Sequence, residues 1–441
     1  MEKINIEPRT LPGFMELLPE EQILFDKMKN IIETTYKKYG FLPLDTPNLE
    51  LSEVLLTKSG GETEKQIYRF MKGETDISLR FDLTVPLAKY VAKNYGNLSF
   101  PFRRYQIGKV YRGEKVQKGR YREFYQCDID IIGDEELNVI NDSELPSVIY
   151  TIFKELGFEK FTICINNRKL LNGLFEYLNQ KDNSQNILRI IDKIDKIGKE
   201  SVIHELEKIK IEELKIKKII EFIEIDGNNK EKIEKLKKLN INNEMFNLGL
   251  SELESTVKNI NLLGVPEENY KIDLTIARGL DYYTGTVYET FLDEYKEIGS
   301  VCSGGRYENL AGYYINKKLP GVGISIGLTR LFYKLNEMNL IKTEKKAIAD
   351  ILIIPMTDKL DVSLKLATQL RNSGINTEVY LNSKKLKAKL KYADKLKIPY
   401  IILIGEDEII TNKIKLKNMK SGEEIEVDIS ANEIKKILDK E

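Results

Sequence analysis

The sequence predicts an α+β unit whose strands carry one polar face, an α-helical insertion inside that unit, and a separate C-terminal α/β unit. Three observations carry this prediction. The stretch "GKVYRGEKVQKGRYREFYQCDIDIIG", residues 108–133, reads as two strands around a basic, glycine-containing loop. Residues from about 167 to 258 turn to long Lys/Glu/Ile/Asn runs with helical spacing and almost no aromatics. From about residue 347 onward, apolar runs alternate with helical patterns in a βαβαβ series. Its crossovers imply a parallel sheet covered by helices.

The elements follow in order. "EEQILFDKMKNIIETTYKKY", residues 20–39, has helical periodicity and leads into "GFLPLDTPNLE", held extended by its prolines. "ISLRFDLT" is a predicted strand with Arg80, Asp82 and Thr84 on one face, and "VPLAKYVAKNY" a helix. Further on, Tyr125, Cys127, Ile129 and Ile131 point one way, while Phe124, Gln126, Asp128 and Asp130 point the other. The first face is core. The second puts an amide and two carboxylates where a buried sheet would want aliphatics. "NDSELPSVIYTIFKELGF" begins a helix with Asp142 or Ser143 as its cap.

After the insertion, strand-like glycine-rich sequence resumes in "KIDLTIARGLDYYTGTVYETF", "GSVCSGGRYENLAGYY" and "GVGISIGLTRLFYKL". The last unit takes "DILIIP", "INTEVYL" and "PYIILIG" as strands, with "DVSLKLATQLRNSG" and "SKKLKAKLKYADKLKI" as helices. No GxGxxG follows its first strand, which excludes a dinucleotide-binding reading. Lys384, Lys385, Lys387, Lys389 and Lys391 are set around the second of these helices, a face suited to nucleic acid or simply to solvent.

Composition sets the outer bounds. The 441 residues allow two or three domains, and Lys+Arg and Asp+Glu both number 69. A net charge of zero argues against a general polyanion binder while leaving room for local basic patches. No run has the apolar length of a membrane span, and the N-terminal stretch lacks a signal peptide's apolar core. Cys127, Cys164 and Cys302 show no CxxC spacing, which fits packed thiols in a reducing cytosol. The single histidine, His204, lies in a charged helical stretch, so Ser-His-Asp, Cys-His and zinc chemistries lack their residues. If the chain is an enzyme, carboxylates, amides, arginines and a bound cation do the work.

Several polar positions ask for one explanation. Arg112 and Glu114 share a face on the first strand of the basic hairpin. Asp82 and Thr84 share another, Arg278 and Tyr282–Tyr283 sit in "ARGLDYYTG", and Gly323 and Gly327 precede Arg330. Taken singly, a surface ladder pair, a helix-surface charge or a strand bulge accounts for each. Together they describe a pocket of arginines, carboxylates and close backbone approach, suited to a phosphorylated ligand. Phe124 offers a flat apolar surface for a purine.

These residues also carry a family resemblance. "TPNLE" is similar to motif 1 of class II aminoacyl-tRNA synthetases, "VYRGE…GRYREF" to motif 2, and "GVGISIGLTR" to motif 3. "LRFDLTVPLAKYVA", "QKGRYREFYQCDIDIIG", "ARGLDYYTG" and "SGGRYENL" together resemble the histidyl-tRNA synthetase family. The resemblance covers nearly the whole chain. It implies an antiparallel catalytic sheet over residues 1–166 and 259–335, a helical insertion over 167–258, and an anticodon-binding domain over 347–441.

The resemblance implies ATP-dependent ligation of L-histidine to tRNA(His) through a histidyl-adenylate, with release of AMP and pyrophosphate, in a cytoplasmic homodimer. Arg112 and Arg278 would be the catalytic residues: Arg112 on the α-phosphate, Arg278 bridging that phosphate and the histidine carboxylate. Glu114, Arg120, Phe124 and Arg330 would complete the ATP site. Asp82, Leu83, Thr84 and Gln126 would surround the amino group, Asp130 and Tyr283 would bond the imidazole, and Tyr282 and Tyr307 would line the same pocket. Mg²⁺ would ride on the ATP phosphates. Asp82 stands where many members carry Glu. The alternative is a non-catalytic paralogue acting as a regulatory binding subunit, as in ATP phosphoribosyltransferase, although such paralogues lose the motif arginines that this chain keeps. A class II synthetase for threonine, proline or glycine would share the motifs but not "ARGLDYYTG" beside Asp130.

Overall fold

The computed structural model of the chain describes residues 7–56, 62–116, 119–276, 282–341 and 346–439. Its residues fall into two compact units, 1–15 with 28–338 and 16–27 with 339–441.

In the first unit, β1 (Leu42–Pro43) is followed by a small antiparallel sheet of β2 (Leu49–Leu51), β3 (Arg69–Lys72) and β4 (Thr75–Leu79), in the order β2-β4-β3. The large sheet adds β5 (Phe102–Tyr111), β6 (Glu123–Ile132), β7 (Phe161–Asn167), β8 (Tyr270–Ile272), β9 (Thr286–Leu292), β10 (Cys302–Tyr307) and β11 (Gly321–Ile326) to β1. Among the described residues its order is β1-β5-β6-β11-β10-β9-β7-β8. The strands from β5 to β7 in that order are antiparallel, and only the edge strands β1 and β8 pair in parallel. This is the antiparallel sheet that the resemblance implies.

The alternation read in 124–131 determines which face is which. Cys127, Ile129 and Ile131 are buried behind the sheet, where Tyr36 of the helix Pro19–Lys38 donates its hydroxyl to the Cys127 carbonyl at 2.8 Å. Met28, Ile32 and Tyr36 of that helix are themselves buried, so its apolar face is used within the chain. The helix Ile140–Glu155 contributes Leu145, Val148, Ile149, Ile152 and Phe153 to the core. Asp142 is not its cap. It lies fully buried in the first turn, where Arg306 on β10 meets it through Nε and Nη2 at 2.7–3.0 Å and Thr286 donates to it at 2.6 Å.

"ISLRFDLT" also departs from expectation. Its strand stops at Leu79, and the helix Thr84–Asn94 starts at Thr84. Asp82 therefore sits in the intervening turn, where its carboxylate accepts from the backbone of Thr84 and Val85 at 3.1 and 2.9 Å. An aspartate three residues before a helical N–H competes well as a cap, and that ends the strand. Arg80 is buried away from this face, its Nε donating to the Lys109 carbonyl. Arg112 and Glu114 lie just beyond β5, which ends at Tyr111.

Between β7 and β8 the chain is helical, as the Lys/Glu/Ile/Asn texture predicts, from Arg168–Tyr177 to Glu244–Leu262. Those two helices cross at backbone contact: a Cβ on Gly173 would stand 2.4 Å from the Phe246 nitrogen. His204 is an exposed residue of the helix Lys199–Lys208.

The second unit holds β12 (Ile351–Pro355), β13 (Thr377–Val379), β14 (Tyr400–Ile404), β15 (Lys413–Asn418) and β16 (Glu424–Asp428). The order is β13-β12-β14-β15-β16. The first three are parallel, as their crossovers require, and β15 and β16 extend the sheet antiparallel. Alternate residues of β12 feed opposite layers. Ile351 and Ile353 pack with Leu366 and Ile434, while Leu352 and Ile354 pack with Ala393 and Ile398. The five lysines do not share one exposed face. Lys384 and Lys385 precede the helix Leu386–Leu396, and Lys389 is buried, donating to the Pro355 carbonyl at 2.9 Å.

Candidate active site

Two adjoining cavities open on the polar face of the large sheet. The inner one, of about 510 Å³, is floored by Gln126, Asp128 and Asp130 of β6 and walled by Asp82, Thr84, Tyr282, Tyr283 and Tyr307. The outer one, of about 250 Å³, is lined by Glu114, Arg120, Phe124 and Arg330. Arg112, Gln126, Ser303 and Ser325 line both. The structure thus gathers nearly all the expected residues into one continuous cleft. Leu83 is the exception among those described: its side chain is fully buried, and its carbonyl lies 3.5 Å from Arg104 Nη2. Arg278, in 277–281, lies outside the described residues.

Asp130 is the most elaborately held group. The hairpin register sets Arg104 of β5 directly opposite it, and the two meet at 2.5 Å with both side chains buried. Tyr307 donates its hydroxyl to the other carboxylate oxygen at 3.0 Å. On the other side of β6, Gly323 faces Asp130, and a Cβ there would come within 2.2 Å of Oδ1. The glycine makes room for the carboxylate. Burial pushes Asp130 up to about 6, against the pull of Arg104 and Tyr307. Asp128 rises further, to about 7, again by burial and against Arg104 and a hydrogen bond from Ser325. Asp82 is also raised by burial, opposed by its backbone donors and Arg112.

The tyrosines form the facing wall. Tyr282 packs edge-on against Tyr283 at 4.9 Å and Tyr307 at 6.0 Å between ring centroids. Arg168 fixes this wall by donating to the Tyr283 carbonyl at 3.0 Å. Burial drives the Tyr283 hydroxyl well up, so it stays a neutral donor and acceptor.

The outer cavity has the opposite character. Arg112 lies between the Phe81 and Phe124 rings, 4.4 and 5.1 Å from their centroids. Burial pushes its pKa down, and the carboxylates of Asp82, Glu114 and Asp128 pull it back. Arg330, in the first turn of the helix Leu328–Glu337, donates to the Ile298 carbonyl and pairs with no carboxylate among the described residues. Burial and then repulsion from Arg120 push its pKa down. Arg120 itself reaches Glu114 only loosely, at 3.4 Å. Two arginines without close counter-ions beside a helix N-terminus make a site for a polyanion.

Arg104 and Ser325 carry much of this geometry and were not singled out from sequence, and Asp128 was given no role there. For Arg104 the available signal was a carboxylate in mid-strand, which calls for a cation on the neighbouring strand.

An antiparallel sheet with an arginine-lined cavity beside a larger carboxylate-floored one fits the catalytic unit that the resemblance to class II aminoacyl-tRNA synthetases implies. A family model described as Histidyl-tRNA synthetase matches residues 13–331, and one described as Anticodon binding domain matches 350–441. A curated histidine–tRNA ligase from Clostridium tetani is 59% identical over 423 residues, 96% of each chain. The crystal structure of histidyl-tRNA synthetase from Nostoc sp. PCC 7120 superposes with a TM-score of 0.90 at 42% identity, covering 98% of this chain and 100% of that one. A Bacillus halodurans structure described as an ATP phosphoribosyltransferase regulatory subunit/histidyl-tRNA synthetase shares the fold, with a TM-score of 0.74 at 19% identity over 88% of this chain and 97% of that one. The chain belongs to the histidyl-tRNA synthetase family. It is an enzyme that uses ATP to join histidine to tRNA. No helix among the described residues is long and apolar enough to cross a membrane.

Proposed function

We propose that the inner cavity takes L-histidine, the outer cavity takes ATP, and the reacting atoms meet at Arg112, which lines both. Asp130 is the observation that supports this most. A buried carboxylate fixed by Arg104 and Tyr307 can accept an imidazole N–H. An amino acid without that donor would leave the acceptor position facing the cavity unfilled. In this reading Tyr283 takes the second imidazole nitrogen and Tyr307 completes the wall. Asp82, Thr84 and Gln126 hold the ammonium group. Arg112 meets the α-phosphate, Phe124 stacks on adenine with Glu114 at its edge, and Arg120 and Arg330 hold the distal phosphates. Arg278 is assigned to the histidine carboxylate and α-phosphate on resemblance alone.

The chemistry needs no protein nucleophile. An oxygen of the histidine carboxylate attacks the α-phosphorus, a P–O bond forms, and the bond to the bridging oxygen breaks as pyrophosphate leaves. A ribose hydroxyl of tRNA(His) then attacks the activated carbonyl and AMP leaves. Both steps depend on positioning and charge neutralisation. Among the described residues no three His, Cys, Asp or Glu side chains gather to hold a metal. Mg²⁺ therefore fits this site as part of the nucleotide, ligated mainly by phosphate oxygens, where it neutralises charge.

Pyrophosphate exchange run with each of the twenty amino acids tests the assignment. Histidine alone should support it, and equal exchange with another amino acid would refute it. We further propose that residues 347–441 and the helical stretch 167–258 serve tRNA. A chain ending near residue 342 should then keep exchange and lose charging. A homodimer in the cytoplasm is the expected working form. Since the apolar face of Pro19–Lys38 is spent inside the chain, the exposed Leu49, Leu51, Phe70 and Met71 of the small sheet are the surface that supports pairing. A stable monomer at micromolar concentration in sedimentation would count against it.

A further inference from the structure

Asp128 has been given no task, and its surroundings say what it lacks. Gln126 donates its amide nitrogen to Ser325 Oγ at 2.9 Å, and Ser325 in turn hydrogen-bonds Asp128. Gln126 Oε1 and Asp128 Oδ1 remain buried and without a hydrogen-bond partner, and both residues line the inner cavity. The charged groups facing Asp128 are Asp130 on its own strand, Arg104 on β5, Arg112 beyond β5, and Asp82 in the turn before the helix Thr84–Asn94. Arg104 meets Asp130 through Nη2, and Glu289 of β9 also lines the cavity. On the reverse of β6 the nearest titratable groups, Cys127, Tyr36 and Cys302, are buried and held neutral. At this end of the floor two buried acceptors, Gln126 Oε1 and Asp128 Oδ1, are left without a donor among the described residues. A buried acceptor surplus of that kind is completed by a cationic donor with several hydrogens.

We propose that Asp128 is a third substrate-binding carboxylate, which takes the α-ammonium group of histidine between itself and Asp82 while Gln126 Oε1 accepts a further N–H. The proposal rests on the inner cavity being the histidine site and deepens it. An ammonium carries three donors, and these three side chains offer three acceptors around one end of the cavity. Asp128 belongs to this end because it is linked to Gln126 through Ser325. Asp130 stays with the imidazole.

Asp128→Asn keeps the size and the bond to Ser325 and removes the charge. In pyrophosphate exchange the KM for histidine should rise roughly ten- to hundredfold, the loss expected for a charge-assisted hydrogen bond, with kcat and the KM for ATP within about twofold. Two inhibitors separate the ends of the substrate. Histidinol keeps the ammonium and imidazole, and 3-(imidazolyl)propionate lacks the ammonium. Histidinol inhibition should weaken in the variant by the same factor as histidine, and imidazolylpropionate inhibition should not change. An unchanged KM for histidine overturns the proposal, and so does equal weakening of both inhibitors, which would assign Asp128 to the ring. Should Asp128→Asn fail to fold, Asp128→Ser gives the same readout. Failure of the wild-type chain to exchange with histidine would sink the underlying site assignment instead, so the two outcomes are distinguishable.

Discussion

Two buried arginine–aspartate pairs, one within the large sheet and one between that sheet and a helix, are built differently. Arg306 engages all three guanidinium nitrogens, on Asp142 and the carbonyls of Leu137 and Asn138, and Asp142 also accepts from Thr286. Arg104 meets Asp130 and comes near one carbonyl, and its Nε and Nη1 find no partner among the described residues. The closed pair ties the helix Ile140–Glu155 to β10. The open pair stands beside a cavity and leaves its carboxylate available from the front. The closed pair engages every guanidinium nitrogen, while the open pair leaves two unpartnered beside a cavity, and buried groups of that kind call for an explanation.

The closed pair should give the largest effect. Arg306→Met leaves Asp142 buried and unpaired, which costs about 3–5 kcal/mol. Thermal unfolding should show a large drop in midpoint, while the folded fraction retains its KM for histidine. A changed KM with unchanged midpoint would erase the distinction drawn between the pairs.

Next comes the carboxylate beside the open pair. Burial holds Asp128 at about 7 against an ordinary 3.8, so between those values the folded chain keeps a proton that the unfolded chain has released. Stability without ligand is therefore lost as pH rises from about 4 to 7, and the full cost stands at pH 8. Asp128→Asn should raise the thermal midpoint at pH 8, by up to about 4 kcal/mol in stability, with the gain shrinking toward pH 4. A variant less stable than wild type at pH 8 would make Asp128 a structural residue.

Asp130→Asn should act on the substrate more than on the fold, because Asp128 remains near Arg104 as a counter-ion. We expect about 1–3 kcal/mol lost from histidine binding, read as a KM for histidine raised roughly five- to 150-fold with that for ATP unchanged. Equal loss for both substrates would contradict the division of the cleft. The smallest effect tests the same rule in the second unit. Lys389→Ala removes a buried ammonium bonded to the Pro355 carbonyl and should cost about 1–2 kcal/mol in stability. Lys387→Ala and Lys391→Ala, both exposed, should leave stability within about 0.5 kcal/mol. Equal destabilisation by all three would break the analogy.

Much of this was legible in the sequence, and the gaps share a cause. Period-two alternation exposed the polar face of β6, since side-chain direction in a strand follows from residue number alone. The fold class and the cleft arginines followed from short contiguous motifs. Pairings across the chain did not. Arg104 becomes a partner of Asp130 only once the hairpin register is fixed, and Asp142 looked like a helix cap because Arg306 is 164 residues away. Asp82 was read into a strand because the aspartate that ends the strand also fits its alternation. Lys389 looked like its exposed neighbours because helical position alone does not say which turn faces a strand end. β15 and β16 were legible and went unread: "KIKLK" and "EIEVD" alternate with period two, and Ile414 and Leu416 of β15 are buried.

The glycine at position 323 also constrains what this pocket could become. With 2.2 Å between an added Cβ and the Asp130 carboxylate, positions 130 and 323 share room for a single side chain. A descendant could in principle carry the anion on β11 instead of β6. It would have to pass through a form with no anion, blind to the ring, or with two side chains in one volume. On the role proposed for Asp130 both intermediates lose the ring contact, so moving the anion from β6 to β11 takes two substitutions at once.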